Sequence, residues 1–172
     1  VDRRNSEGIA PVKPVLDEIE GASTLADVRR LQLKYADQGY GIQFGSYFGA
    51  DEKNVTMNIL NLTQGGLTLG QKDYYLNNDA ATVAIRDAYK QHIARMFGLY
   101  GFSETAAKAK AEAVFRQETL LALVSKSMTE LRDPQANYNK MTLKEFAEQY
   151  PNIPLEALAN AEGVKTEYIE TL

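Results

Sequence analysis

Apolar residues between Pro11 and about Tyr35 repeat at helical spacing. Between Pro11 and Glu20 they recur every three or four positions, with prolines where a first helical turn tolerates them. A second repeat starts at the N-cap residue Thr24 and continues to about Tyr35, with Gly39 beyond its end. The pattern predicts two short amphipathic helices.

The period then changes from about 3.6 to two. Apolar and polar residues alternate from Ile42 to Phe48 and from Val55 to Ile59, and the polar residues 50–54 join the two runs. This arrangement is typical of a β-hairpin. The adjacent Ile59 and Leu60 break the alternation, so we expect a bulge or a strand end there.

Helical patterns return in the second half of the chain. They predict a helix from about Asp79 that ends at Gly101, and a longer one that begins at the cap Ser103 and reaches about Met128. A capping box, Thr142 with Glu145, opens a short helix before Pro151.

Taken together, these elements predict a mainly α fold, a helical domain with one long helix and a small β-hairpin. We expect residues 1–172 to form a single domain. The last segment, Val164–Leu172, alternates like a strand but has no visible partner, and the first residue is Val1 rather than Met. We therefore expect the chain to start either inside a longer protein or after processing, and its last segment to be cut off.

Composition excludes several classes of function. The 19 basic and 23 acidic residues give a net charge of −4, and the densest basic clusters are the pairs Arg3-Arg4 and Arg29-Arg30, so nucleic acid is not an expected partner. No run approaches the roughly 18 apolar residues that a transmembrane helix needs. The chain has no cysteine, which excludes disulfides, thiolate metal sites and cysteine nucleophiles.

The residues that could perform catalysis are few. A zinc site with two histidines and a carboxylate cannot form, because His92 is the single histidine, and its place on an apolar stripe predicts a packed core side chain. Asp51 and Glu52 are paired acids in a hairpin loop, where a solvated surface role is expected. The glycines Gly65, Gly66 and Gly70 lack the spacing of a phosphate-binding loop and indicate turns with positive φ.

Several ordered motifs carry a stronger signal. They are Tyr47–Asn54, Gln64–Leu69, Asp73–Leu76, Leu131–Pro134 and Tyr138–Leu143. In this order and spacing, from about Asp2 to Leu143, the chain resembles the N-terminal region of the neprilysin and endothelin-converting-enzyme family of zinc metallopeptidases. The motif positions that we single out are Gly65, Gly66, Asp73, Tyr74, Arg132, Asp133, Tyr138 and Asn139.

The resemblance implies a fragment without an active centre of its own. Members of the family carry an H-E-x-x-H motif, a third-ligand glutamate in E-x-x-x-D and an N-A-x-Y/F segment, and none of these occurs here. By resemblance, the chain has no catalytic, metal or cofactor residue, and zinc belongs to the parent enzyme. Its partners are the catalytic zinc lobe of the same polypeptide and the peptide substrates that the two lobes enclose. The family habit is extracytoplasmic: periplasmic, surface-anchored or secreted.

Two other interpretations stay open at this stage. The chain could be a stand-alone helical module that binds peptides or glycans, or an acid–base enzyme whose carboxylates converge from distant segments. The motif residues also have a structural interpretation, in which Arg132 and Asp133 anchor the end of the long helix. In the same way, Asn139 and Thr142 would satisfy backbone groups at the start of the next helix.

Overall fold

The computed structural model describes residues 2–36, 38 and 44–161, which form two compact units. One, the two-helix unit, contains residues 2–18 and 66–132. The other, the hairpin unit, contains the described residues of 19–65 and 133–161. In chain order the elements are α1 (Asp2–Glu7), α2 (Lys13–Glu20), α3 (Leu25–Ala36), β1 (Phe44–Asp51), β2 (Asn54–Gln64), α4 (Asp73–Leu76), α5 (Ala80–Tyr100), α6 (Glu104–Val124), α7 (Pro134–Asn137), α8 (Leu143–Gln149) and α9 (Leu155–Ala161). The predicted mainly α fold with a small hairpin is confirmed, whereas the single domain stays a prediction.

The two-helix unit is built on α5 and α6, which are both 21 residues long and pack against each other. Their ends follow the sequence signals. The Asp79 carboxylate accepts a hydrogen bond from the Thr82 N–H, Ser103 accepts one from the Ala106 N–H, and Gly101 ends α5 with φ of 115°. Buried alanines on α6, among them Ala107 and Ala111, let the neighbouring helices approach closely.

The second long helix ends four residues before the predicted Met128. Ser125, its C-cap residue, has an extended backbone with ψ of 147°, and its buried hydroxyl donates back to the Leu121 carbonyl. A serine side chain that bonds to the backbone competes with further helical turns. This helix therefore spans Glu104–Val124, and the expectation that it is longer than α5 is wrong, because both helices have 21 residues.

The hairpin unit has a two-stranded antiparallel sheet in which Phe48 lies opposite Leu60. The expected irregularity at Ile59 and Leu60 is wrong, because both residues lie within β2 and both are buried. The register shifts instead between Ala50 and Asp51, at the turn. The core of the unit joins Leu60 of β2 to buried residues of α8 and α9: Phe146, Leu155 and Ala159.

Two reciprocal caps fix helix starts in this unit. Thr142 and Glu145 form the predicted capping box of α8. Thr24 and Asp27 exchange equivalent hydrogen bonds at the start of α3. The predicted strand start at Ile42, the glycine stop at Gly39 and the strand-like segment 164–172 lie outside the described residues. No helix within the described ranges is long and apolar enough to cross a membrane.

Candidate functional site

Asp51, the last residue of β1, lies at the centre of a polar cluster in the hairpin unit. Its side chain is only 1% exposed. The Tyr138 hydroxyl donates to Oδ1 at 2.8 Å, the Lys140 ammonium donates to Oδ2 at 2.7 Å, and the Lys53 backbone N–H donates to Oδ1 at 2.9 Å. The expectation that Asp51 is a solvated loop residue is therefore wrong, because partners 87 and 89 residues further along the chain cover it.

The charges of this Asp51 cluster compensate one another. The Lys140 ammonium, followed by the Lys53 N–H and the Tyr138 hydroxyl, lowers the pKa of Asp51 to about 2 against the opposing effect of burial. The carboxylate in turn raises the pKa of Lys140. Burial, together with the carboxylate, raises the pKa of Tyr138. At neutral pH the cluster consists of the Asp51–Lys140 ion pair and the neutral Tyr138 phenol. Such a cluster is better suited to fixing two chain segments to each other than to general acid or base catalysis.

The same residues stand beside a cavity of about 360 Å3. It lies between β2 residues 59–62 and residues 137–141, and we call it the edge groove. Apolar side chains, among them Phe44, Met141 and Phe146, form most of its surface, and the amides of Asn61 and Asn139 add polar groups. A mostly apolar cavity of this size with a few fixed polar groups is typical of a ligand pocket.

A second polar cluster lies in the two-helix unit, around Glu118 of α6. Its carboxylate accepts hydrogen bonds from the hydroxyls of Thr68 at 2.6 Å, Tyr75 at 2.7 Å and Tyr89 at 2.9 Å. The Leu69 N–H donates to the Tyr75 hydroxyl at 3.0 Å. Burial raises the pKa of Tyr75 far above its ordinary value, and that of Tyr89 rises for the same reason. The phenols thus remain neutral donors that tie the loop 66–72 to α6.

The glycine-rich part of this loop has the predicted turn geometry at two positions. Gly66 has φ of 82° and Gly70 has φ of 85°, values that disfavour any side chain. Gly65 does not have a positive φ. In the motif that follows, Asp73 begins α4 as an exposed residue, whereas Tyr74 is half-buried.

The remaining predicted positions are divided between local and long-range roles. Arg132 is exposed at the end of the 3₁₀ turn Glu130–Arg132. Asp133 caps α7 by accepting from the Gln135 and Ala136 N–H groups, and the Asn139 side chain donates to the Asn137 carbonyl. Of the eight motif positions, Tyr138 alone contacts Asp51 in the described part of the chain. A functional role for these positions stays a prediction.

The donor groups that the structure describes do not fit a zinc ion. Among the described residues, no three histidine, cysteine or acidic side chains converge on a possible metal position. His92 lies exposed on α5, so the expectation of a packed core histidine is wrong. A catalytic zinc site needs about three protein ligands, usually including imidazole, and one isolated imidazole cannot supply them.

Comparisons with known proteins agree on one family. The model of peptidase family M13 matches residues 1–171. Neprilysin-3 of Drosophila melanogaster is 27% identical over 121 residues, which are 70% of this chain and 15% of that relative. Endothelin-converting enzyme 1 of Cavia porcellus is 31% identical over 111 residues, which are 64% of this chain and 15% of that relative.

Solved structures give the same result. The zinc metalloprotease Zmp1 of Mycobacterium tuberculosis, in complex with an inhibitor, matches 98% of this chain with a TM-score of 0.84 and 27% identity. PepO from Lactobacillus rhamnosis HN001 matches 87% with a TM-score of 0.74 and 27% identity. The chain covers 25% and 24% of these two proteins. It therefore spans a quarter or less of its relatives' length, and it belongs to peptidase family M13, whose N-terminal region it represents.

Proposed function

We propose that this chain is a non-catalytic part of a neprilysin-like zinc metalloendopeptidase, and that it helps to enclose the chamber in which oligopeptides are cleaved. The observation that carries the proposal is the match to Zmp1, which includes 98% of this chain but 25% of that zinc metalloprotease. The alternative of a stand-alone binding module is not favoured, because the family match extends over residues 1–171.

The proposal assigns the zinc ion and the catalytic groups to a lobe elsewhere in the same polypeptide. This assignment follows from the metal-binding side chains of this chain, which has one histidine and no cysteine. The parent would act outside the cytoplasm on peptide substrates. These assignments rest on the family, and the residues described above would contribute none of the zinc ligands.

The role of this chain would be to present a rigid wall. In the hairpin unit, the Asp51 cluster fixes the hairpin turn to residues 138–140, which have no regular secondary structure. In the two-helix unit, Glu118 fixes the loop 66–72 to α6. Satisfied buried polar networks of this kind hold irregular segments in one conformation.

Metal analysis and a peptidase assay on two proteins test the proposal. We expect the full-length polypeptide to bind about one zinc ion per chain and to cleave a quenched fluorescent peptide in a chelator-sensitive manner. The 172-residue chain should do neither. A full-length protein without zinc or peptidase activity, or a 172-residue chain that binds stoichiometric zinc, would contradict the proposal.

His92 provides a matched control in the full-length protein. Because its side chain is exposed on α5, His92→Ala should leave zinc content and peptide cleavage unchanged. Loss of zinc from this variant would identify His92 as a ligand and would contradict the assignment of the metal to another lobe.

A further inference from the structure

The edge groove follows the outer edge of β2. Residues Ile59, Leu60, Asn61 and Leu62 all line it, although successive residues of a strand point to opposite faces. Their partners on β1, residues 46–49, do not line it. Phe44, at the start of β1, is the residue of that strand that reaches the lining. The contact with four consecutive residues of β2, and with none of their partners, places the groove mainly along the edge of β2 that faces away from β1.

That edge of β2 carries no second strand in the described part of the chain. Within the described ranges, β2 pairs with β1 and with no other strand. In an antiparallel pair, alternate N–H and C=O groups of each strand point away from the partner. An edge of this kind accepts an added strand from another peptide.

The opposite wall of the groove is formed in advance. Residues 137–141 follow the short helix α7, and Tyr138 and Lys140 within them are held by Asp51. Because Asp51 already neutralises Lys140, the wall presents amides and an apolar surface rather than a free positive charge. Preorganisation of this kind reduces the entropy lost when a ligand binds.

The chemistry of the groove defines the ligand that it would accept. Its floor contains the apolar side chains of Phe44, Leu62, Phe146 and Ile153, which suits a large apolar side chain. Among the described residues that line the groove, Glu52 is the acidic one, and it is exposed. A basic residue of a bound peptide would complement its charge.

We propose that the edge groove binds an extended peptide segment as a third strand beside β2, with a large apolar side chain on the groove floor and a basic residue next to Glu52. This inference rests on the proposed function, because the segment would belong to a peptide substrate at a distance from the bond that is cleaved. The groove would thus favour substrates long enough to reach both this site and the catalytic lobe.

Peptide binding to the full-length protein tests the proposal. The zinc is first removed with a chelator so that the probe is not cleaved. The probe is a fluorescein-labelled 13-residue peptide of Gly, Ser and Thr with a central Val-Phe-Arg, and its affinity is measured by fluorescence anisotropy. We expect replacement of the probe's Phe by Ser to weaken binding about tenfold or more, whereas equal affinity would overturn the apolar anchor.

Strand pairing is tested with two further probes. One is N-methylated at the odd-numbered positions and the other at the even-numbered positions, so that each loses the N–H donors of one edge. N-methylation removes N–H donors, and donors on one edge alone of an added strand face β2. One methylated probe should therefore bind at least about tenfold more weakly, while the other retains most of its affinity. Equal effects of the two patterns would overturn strand addition.

Charge reversal tests the assignment of Glu52. In Glu52→Lys, replacement of the probe's Arg by Glu should improve binding about threefold, whereas the same replacement weakens binding to the unaltered protein by a similar factor. The matched control is Glu148→Lys, because Glu148 is an exposed carboxylate on α8 outside the groove lining. An equal effect of the two variants would overturn the role of Glu52.

Absence of binding by every probe to the full-length protein would also overturn the proposal, and would indicate that the polypeptide's own residues or a second copy fill the groove. This failure is distinct from failure of the proposed function. Zinc content and peptide cleavage decide the proposed function, and neither is measured in the anisotropy assay.

Discussion

At the scale of single residues, Asp51 is buried although its local sequence predicts exposure. Its sequence neighbours are polar, and the hairpin spacing places it at a turn, so solvent exposure is the natural expectation. The structure buries it, because a lysine and a tyrosine beyond residue 137 reach back to its two carboxylate oxygens. The motifs around Asp51 and Tyr138 could be recognised in the sequence, but their direct contact could not, since linear spacing carries no information about pairing over 87 residues.

Replacement of Asp51 by Asn should make this contact measurable as a pH-dependent loss of stability. The variant leaves the Lys140 ammonium without its anionic partner, so we expect Tm to fall by several degrees at pH 7. The folded-state pKa of Asp51 is about 2, below its usual 3.8. Its stabilising effect is therefore complete above about pH 5 and is lost as the pH falls through 4 towards 2.

Thermal unfolding between pH 7 and pH 2 provides the measurement. The difference in Tm between the unaltered protein and Asp51→Asn should shrink steadily below about pH 4. Glu52→Gln is the matched control, because the adjacent carboxylate is exposed and makes no ion pair shorter than 4.0 Å in the described structure. A constant difference at every pH would show that the ionised carboxylate is not the stabilising group.

At the scale of elements, helix starts could be predicted well because their determinants are local. Each cap joins residues three or four positions apart, as in Thr24 with Asp27 and Thr142 with Glu145. The end of α6 and the continuation of β2 were predicted less well. The helix ends at a buried serine, and the strand continues because of its pairing with β1. Both depend on tertiary packing, which overrides propensity.

The glycines of α5 allow a direct test of how a helix end is specified. Gly101 ends the helix with φ of 115°, where a side chain strains the backbone, whereas Gly98 lies in the last turn of the same helix. A Cβ at either position would meet no heavy atom within 4 Å, so packing is not the cause of any difference. Gly101→Ala should lower the free energy of unfolding by about 1–2 kcal/mol.

Gly98→Ala is the matched control and should act in the opposite direction. Replacement of a helical glycine by alanine raises the free energy of unfolding by about 0.5–1 kcal/mol, since it reduces the entropy of the unfolded chain. Urea unfolding of the two variants gives both values. If Gly101→Ala proved as stable as Gly98→Ala, the left-handed conformation at residue 101 would not be what limits this position.

At the scale of the whole molecule, the end of α6 exposes a series of large apolar side chains. Leu120, Leu123 and Val124 lie on one helix face and are 54%, 59% and 81% exposed. Met128 and Leu131 extend the exposed apolar series beyond the helix. Contiguous apolar patches on a protein surface mark interaction sites. This chain spans a quarter of the length of Zmp1, so we expect the remainder of the full-length protein to cover this apolar surface.

The double variant Leu123→Gln with Val124→Gln should therefore have different effects in the 172-residue chain and in the full-length protein. In the 172-residue chain we expect less self-association and a change in the free energy of unfolding within about 0.5 kcal/mol, because both side chains are exposed. In the full-length protein, where we expect these side chains to be covered, the variant should lower the free energy of unfolding by about 2–4 kcal/mol.

Sedimentation velocity and urea unfolding of both proteins separate these outcomes. Gln117→Ala, an exposed substitution on α6 outside the apolar series, should have little effect in either context. If the double variant lowered the free energy of unfolding no more in the full-length protein than in the 172-residue chain, the end of α6 would be solvent-exposed in both proteins. The apolar face would then not be an internal interface of the peptidase, and its self-association in the short chain would have to reflect a contact between copies.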